Sequence, residues 1–191
     1  MYFLLYNLVR TDKYIKLQDI LQWADTLDLN IESIRVKKGN VFLEQGHKCS
    51  YFYYIVSGLM RIFYYDREGH QVTHWFSSQD MMITSPDSFF NNNENILNFE
   101  ALEDCELLLV TRDHLKTASR NVPGFDTLYR KLIVDFTILL SRRVMSIHTE
   151  SAEYRYLQLI KQYPGIFHRT KLSYIASYLG VTQQSLSRIR K

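Results

Sequence analysis

The sequence predicts an α+β fold, in which a β-rich part is followed by a helical part. Short runs of β-forming residues, separated by turn residues, extend from Ile31 to Val110. A long amphipathic segment follows Pro123-Gly124, and the last residues have the spacing of two short helices joined by a tight turn. Strands grouped before helices in this way are typical of an α+β protein.

The composition is compatible with one large domain and one small domain. The chain has 191 residues, of which 46% are apolar, and this is enough for a packed core. No apolar run approaches the roughly 18 to 20 residues that span a bilayer, so we expect no membrane partner. The apolar start has no basic leader or small-residue cleavage site, and we expect it to be a helix packed on the domain. Cys49 and Cys105 are far apart in the sequence and have no other cysteine near them, which favours a reduced, cytoplasmic setting. Two cysteines are also too few to bind an iron–sulfur cluster with four thiolates.

The β-rich part follows an N-terminal helical segment. Residues 1 to about 29 have helical spacing, with one apolar side formed by Ile20, Leu21, Trp23, Ala24 and Leu27. Strands are predicted at 51–56, 59–65, 71–76, 99–101 and 105–110, with turns at Ser57-Gly58 and around Glu68-Gly69. Between them, the asparagine-rich run 91–95 is predicted to be an exposed loop. This pattern indicates a sandwich or a small barrel.

Residues 125–148 are predicted to form one long helix. Its apolar residues recur every three or four positions, as in a helix that pairs with another helix. They are Tyr129, Ile133, Phe136, Leu140, Val144 and Ile147, and Leu128, Leu132 and Leu139 add a second apolar face. The stripe is either core throughout or a dimer seam. We favour the seam, because a small domain cannot cover both faces. A shorter helix is predicted at 152–163.

The last residues have the spacing of a helix-turn-helix. Apolar residues fall at Ile175, Leu179, Val181, Leu186 and Ile189. Ala176 allows two helices to approach closely, and Gly180 suits the turn between them. Thr182 is predicted to cap the second helix, and Thr170 to cap the first.

Basic charge is concentrated where this motif lies. No acidic residue follows Glu153, so the segment from Tyr154 onward carries +7 while the first 153 residues carry −4. An ordinary helical hairpin with a solvated face is the alternative interpretation. We favour DNA binding, because phosphates reward clustered cations by releasing counterions.

Taken in order, these parts resemble the Crp-Fnr family of bacterial transcription regulators. The resemblance rests on two segments, KKGNVFLEQGHKCSYFYYIVSGLMRIFYYDREGHQVTHWF and LSYIASYLGVTQQSLSRIRK, and the second is similar to the Bacteroidetes-type branch. It implies an N-terminal double-stranded β-helix, a jelly roll like the cyclic-nucleotide-binding domain, in a sensor domain at 1–122. It further implies a dimerisation helix at 123–150 and a helix-turn-helix DNA-binding domain at 151–191.

The resemblance also implies the DNA contacts. Gln183, Gln184 and Arg188 occupy base-reading positions, since Gln pairs with adenine and Arg with guanine. The remaining expected DNA-binding residues are Thr170, Lys171, Thr182, Ser185, Ser187, Arg190 and Lys191. The expected partners are a palindromic double-stranded operator and a second copy of the chain. RNA polymerase is a further candidate partner.

The ligand positions of the family carry over less well. Where cyclic-nucleotide-binding members have a Gly-Glu pair and an Arg-Ser pair, this chain has Gln79-Asp80 and Asn95-Ile96. A buried cyclic phosphate needs an arginine, and none stands there. We therefore expect no cofactor and no tight binding of cyclic AMP. Two alternatives stay open, which are no effector at all and an unidentified effector of different chemistry. Such an effector would contact Gln79, Asp80, Met81, Asn95 and Ile96.

Two other functions are alternatives to DNA binding. A cupin-like metal-dependent enzyme would use histidines of the β-rich part, which are His47, His70, His74 and His114, but no close His-x-His pair is present. A ligand-binding module acting on a protein partner would not need the basic tail. No nucleophile–base pair or phosphate-binding glycine loop stands out, so we expect no catalysis.

Overall fold

The computed structural model describes residues 15–190. Its elements, in chain order, are α1 (Leu17–Thr26), β1 (Glu32–Val36), β2 (Val41–Leu43), β3 (Tyr51–Ser57), β4 (Leu59–Tyr65), β5 (Gln71–Ser78), β6 (Met82–Ile83), α2 (Pro86–Asn91), β7 (Asn98–Ala101), β8 (Cys105–Thr111), α3 (Arg112–Asn121), α4 (Phe125–Thr149), α5 (Ala152–Gln162), α6 (Ile166–Arg169), α7 (Leu172–Leu179) and α8 (Gln183–Ile189). The five predicted strands and the long helix are confirmed to within two residues at each end. The predicted α+β fold class is confirmed as well.

Two four-stranded antiparallel sheets build the roll, with strand orders β1-β8-β3-β6 and β2-β7-β4-β5. The sequence of strand β8 is almost continuously apolar, and its position in the sheet explains this. Leu107 and Leu109 face the core between the sheets, while Leu108 packs on the outside against the cluster that contains Ile20 of α1. Both faces of this strand are therefore covered.

The turn between β3 and β4 requires glycine. Gly58 has φ +104, and a Cβ atom built there would lie 2.4 Å from Cys105 Sγ and 2.9 Å from the Asp104 carbonyl oxygen. Any side chain at this position would be strained and would displace the neighbouring backbone. Cys105 is itself buried and unpaired, as is Cys49.

The elements missed in the sequence are short or polar. Helix α3 reads RDHLKTASRN, with few apolar residues to reveal a helical period. Helix α2 occupies part of the stretch where only irregular chain was expected. The asparagine run is not wholly exposed as predicted, because Asn95 is 2% exposed. Its side chain donates to the Glu44 carbonyl oxygen and accepts from the Leu97 N–H, and these bonds offset the cost of burying an amide.

At the N-terminal end, the structure describes a shorter helix than the sequence predicted. Helix α1 ends at Thr26, and its Ile20 lies against Tyr54 on the outer side of the roll. The helix expected over residues 1–14 lies outside the described residues. Between residues 15 and 190, no helix combines the length and the hydropathy needed to span a bilayer.

Helices α5–α8 form a compact unit that we call the head. Its buried residues include Leu159, Ile175, Leu179 and Leu186. These residues belong to the same hydrophobic cluster as the core of the roll. The head is thus packed directly on the roll.

Candidate nucleic-acid interface

The turn between α7 and α8 has the geometry that the sequence predicted. Gly180 adopts the left-handed conformation, with φ +67, and ends α7. Ala176 is 2% exposed, and its carbonyl oxygen accepts a hydrogen bond from the Val181 N–H at 3.0 Å. Leu186 is fully buried beneath this turn. The small residue and the glycine therefore let α8 lie across α7 on a shared apolar support.

Of the two predicted N-caps, the one of α8 is confirmed and the one of α7 is not. Thr182 caps α8 as expected, because its Oγ1 accepts a hydrogen bond from the Ser185 N–H at 3.1 Å. The predicted cap of the first helix was wrong. Lys171 is the N-cap of α7, whereas Thr170 ends the short helix α6 in an extended conformation. The unexpected helical turn at 166–169 has Thr170 as its C-cap, so the N-cap of α7 is one residue later than predicted.

Helix α8 turns its polar side to solvent. Gln183, Gln184, Ser187 and Arg188 are exposed, and Ser185 is half-buried. Arg190 is also exposed, and its guanidinium carbon lies 4.4 Å from the centre of the Phe167 ring. Lys171, at the start of α7, is exposed near the Tyr174 ring, and Lys191 lies outside the described residues. The predicted base-reading side chains thus share one accessible surface.

Not all of the basic residues of the head face outward. Arg155 donates to the Leu179 carbonyl oxygen at 2.8 Å and to the Glu150 carbonyl oxygen, and so ties α5 to the ends of α7 and α4. Burial, followed by the nearby Arg143, lowers the pKa of Arg155. Arg169 instead forms a two-pronged pair with Glu103 of the roll, at 2.8 and 2.6 Å. The exposed cations left in the described part of the head are Lys161, Lys171, Arg188 and Arg190.

Comparison with known proteins agrees with this architecture. Residues 33–121 match the family model of the cyclic nucleotide-binding domain. The fold is similar to that of the c-di-GMP responsive global regulator CLP from Xanthomonas campestris, with 12% identity, coverage of 90% of this chain and 89% of that one, and a TM-score of 0.68. It is also similar to FixK2 from Bradyrhizobium japonicum, with 18% identity, coverage of 84% and 82%, and a TM-score of 0.67. A crp/fnr-family regulator from Eubacterium rectale aligns with 16% identity, 96% and 85% coverage, and a TM-score of 0.66.

Residues 33–121 are thus similar to the cyclic nucleotide-binding domain, and the chain has a fold similar to that of Crp/Fnr regulators. The resemblance predicted from the sequence is confirmed at the level of the fold. Among the curated proteins, none matches the chain in sequence.

Within residues 33–121, the expected effector residues are either engaged with different partners or exposed. Asp80 accepts a hydrogen bond at 2.9 Å from the hydroxyl of Tyr54, which lies on the outer side of the roll. Met81 is buried, and its sulfur accepts from the Ser78 N–H at 3.3 Å. Asn95 is engaged with the loop at Glu44, whereas Ile96 is 70% exposed. Gln79 is exposed as well.

Aromatic rings occupy the interior of the domain. The ring of Phe42 lies 5.1 Å from that of Tyr53 and 6.0 Å from that of Phe99, centre to centre, in edge-on contacts. An apolar cavity of about 40 Å³ lies instead outside the roll, among α1, α3 and the start of α4. Burial raises the pKa of Tyr129, which lines it. This cavity is too small for a nucleotide.

Two of the four histidines considered as metal ligands, His70 and His114, have separate local partners. Within residues 15–190, no group of three or more His, Cys, Asp or Glu side chains is placed to hold a metal ion. His70 lies in the exposed hairpin turn beside Asp66, and His114 belongs to the capping box that opens α3.

The predicted seam of the long helix α4 is covered at some positions and exposed at others. Leu140, a residue of that seam, packs with Leu139 on the main core, and Leu132 packs on the cluster that contains Ile20. We call the exposed part of the seam the open face, and it includes Phe136, Val144 and Ile147, which are 38%, 58% and 47% exposed. Tyr129 and Ile133 are half-buried. Sequence reasoning missed Val134, Ile138 and Met145, which lie together on another side of the helix and are 49%, 37% and 60% exposed.

Proposed function

We propose that this chain is a homodimeric, sequence-specific DNA-binding transcription regulator of the Crp/Fnr type. The main support for this proposal is the set of side chains exposed on the outer surface of α8. Gln183, Gln184 and Arg188 are exposed together on a capped helix that rests on a buried apolar support. No carboxylate side chain follows Glu153 to repel a phosphate backbone.

The chemistry of this surface fits the major groove. A glutamine side chain can pair with the N6 and N7 atoms of adenine, and an arginine with the O6 and N7 atoms of guanine. The hydroxyl of Ser187 and the charges of Lys171 and Arg190 suit phosphate oxygens, which fix the helix in position without reading sequence.

The open face of α4 supports dimerisation. Large apolar side chains are exposed from the middle of the helix to its end, and they include Phe136, Val144 and Ile147. Pairing this open face with its copy would bury it and place two heads side by side. Two copies of α8 about 34 Å apart would then enter successive major grooves of a palindromic operator.

The proposal includes an effector other than cyclic AMP. Asn95, which stands where cyclic-nucleotide binders have an arginine, has its amide bonded within the domain. A fold neighbour, CprK, has been solved with o-chlorophenolacetic acid, and CLP is described as responsive to c-di-GMP. Similar folds therefore take ligands of different chemistry, and this chain is expected to have its own.

Selection from a pool of random DNA duplexes tests the proposal. We expect enrichment of a palindrome whose half-sites are centred about 10 to 10.5 base pairs apart. Binding to it should weaken steeply as salt rises. A pool that stays random after repeated selection, or binding that ignores salt, would contradict the proposal.

Two neighbouring arginines sharpen the test. Arg188→Ala should weaken binding to the selected palindrome by about tenfold and relax the preference at one base pair of each half-site. Arg190→Ala should weaken binding to selected and random duplexes alike and reduce the salt slope by about 1 per head. Affinities measured by fluorescence anisotropy on both duplexes distinguish the two. Equal behaviour of the two variants would show that Arg188 does not read a base.

A further inference from the structure

Strand β5 is an edge strand of the roll. It is the last strand in the order β2-β7-β4-β5, so one side of its backbone has no neighbouring strand in the sheet. Such an edge presents N–H and C=O groups that need partners when they are buried. The head lies against this edge.

Side chains of the head bond to the open edge. The hydroxyl oxygen of Ser177, on α7, accepts from the Thr73 N–H at 2.9 Å and approaches the Gln71 carbonyl oxygen at 3.4 Å, to which it can donate. Further along the strand, the hydroxyl of Tyr163 donates to the Phe76 carbonyl oxygen. Two side chains thus take the place of a neighbouring strand.

Aromatic and ionic contacts surround these bonds. Tyr178 of α7 lies 5.2 Å from Phe76, ring centre to ring centre, and the guanidinium of Arg143 lies 3.8 Å from the Tyr178 ring. The helix α4, the head and the roll therefore meet at one tyrosine. Beside it, Arg61 of the roll is 1% exposed, and its guanidinium lies 3.4 Å from the centre of the Tyr174 ring.

We infer that the edge of β5 fixes the orientation of the head for operator binding, with Ser177 and Tyr163 as positioning residues. The inference rests on the proposed function. Two reading helices can enter successive grooves at once only when both heads are held at the required spacing. The described contacts hold the head on its own roll while α8 stays exposed, and this docked arrangement is the one that the proposal assigns to DNA reading.

The double variant Ser177→Ala/Tyr163→Phe tests the inference. It removes both hydroxyls and keeps the tyrosine ring and the helix. Tyr156→Phe is the matched control, because Tyr156 is a half-buried tyrosine of the same head whose ring packs on Phe167. Each full-length protein is assayed on the selected palindrome, on a random duplex of equal length, and by residue-resolved hydrogen exchange of the Thr73 amide.

We expect the double variant to bind the palindrome about tenfold more weakly, since both hydroxyls lose their hydrogen bonds to β5, and random DNA within about twofold of the original protein. Its Thr73 amide should exchange faster, and the control should match the original protein in all three assays. The single variant Ser177→Ala should show a smaller change in the same direction.

Two outcomes would overturn the inference. The first is a Thr73 amide that exchanges as slowly in the double variant as in the original protein, because the contact would then not hold the head. The second is fast exchange with unchanged affinity for the palindrome, because the contact would then not position α8. Failure of the unmodified protein to select any palindrome would instead contradict the proposed function.

Discussion

The basic residues of the head that turn inward differ from those that turn outward in whether they have partners within the chain. Arg155 and Arg169 are satisfied within the chain, the first by backbone carbonyl oxygens and the second by Glu103. Arg188 and Arg190 are exposed, and the guanidinium of Arg190 lies over the Phe167 ring. A count of charge therefore overstates what a head can offer to phosphates. We expect substitutions of the outward residues to change DNA affinity and substitutions of the inward residues to change the free energy of unfolding.

The largest effect is expected at the open face of α4. Phe136→Asp/Val144→Asp places two carboxylates where both side chains are exposed in the single chain, so the fold should persist. Pairing of two copies should fail, and affinity for the palindrome should drop about a hundredfold or more as bivalency is lost. Sedimentation gives the mass, and circular dichroism checks the fold. Dimers of unchanged stability would place the seam elsewhere.

A smaller effect, on stability, is expected from the inward cations. Arg155→Ala leaves carbonyl oxygens at the ends of α4 and α7 without their donor. The free energy of unfolding should fall by about 2 to 3 kcal/mol, as for other bonds to charged donors. Chemical denaturation measures this loss. Arg188→Ala is the matched control and should stay within about 0.5 kcal/mol. Comparable losses in the two variants would erase the distinction between inward and outward arginines.

The smallest effect concerns pH. The hydrogen bond from Arg169 lowers the pKa of Glu103, so this pair stabilises the fold above the pKa of an unfolded glutamate, about 4.3, and the contribution is lost as pH falls through the folded value. Both side chains are 32% exposed, so the contribution should be under about 1 kcal/mol.

Glu103→Gln isolates this contribution. Below about pH 4.5, the stability of the variant should fall less steeply with pH than that of the original protein. Thermal unfolding between about pH 3 and pH 7 measures the two slopes. Parallel curves across that range would mean that the pair contributes no pH dependence.

Local patterns predicted the local features of this molecule. The glycines at 58, 69 and 180 all adopt positive φ at the turns assigned to them, and Thr182 caps the helix that it was expected to cap. The strands and α4 were predictable because their apolar periods are long and regular. Helix α3 was not, since its period is carried by few apolar residues.

Long-range contacts could not be predicted in this way. Arg169 was counted with the outward charge because its partner, Glu103, is 66 residues away. Asn95 was assigned to an exposed loop because its bond to Glu44 spans 51 residues. The exposed residues of α8 were predictable, whereas the docking of Ser177 on Thr73 depends on a separation of 104 residues.

The bonds between the head and β5 also bear on how the roll and α4 would behave without the head. Cutting the chain before Ser151 would remove Ser177 and Tyr163, and would leave the backbone groups of Gln71, Thr73 and Phe76 bare along the rim of the roll. A bare rim is a template on which strands from other molecules can pair and aggregates can grow. The helices of the head thus shield this edge of the roll from pairing with strands of other molecules.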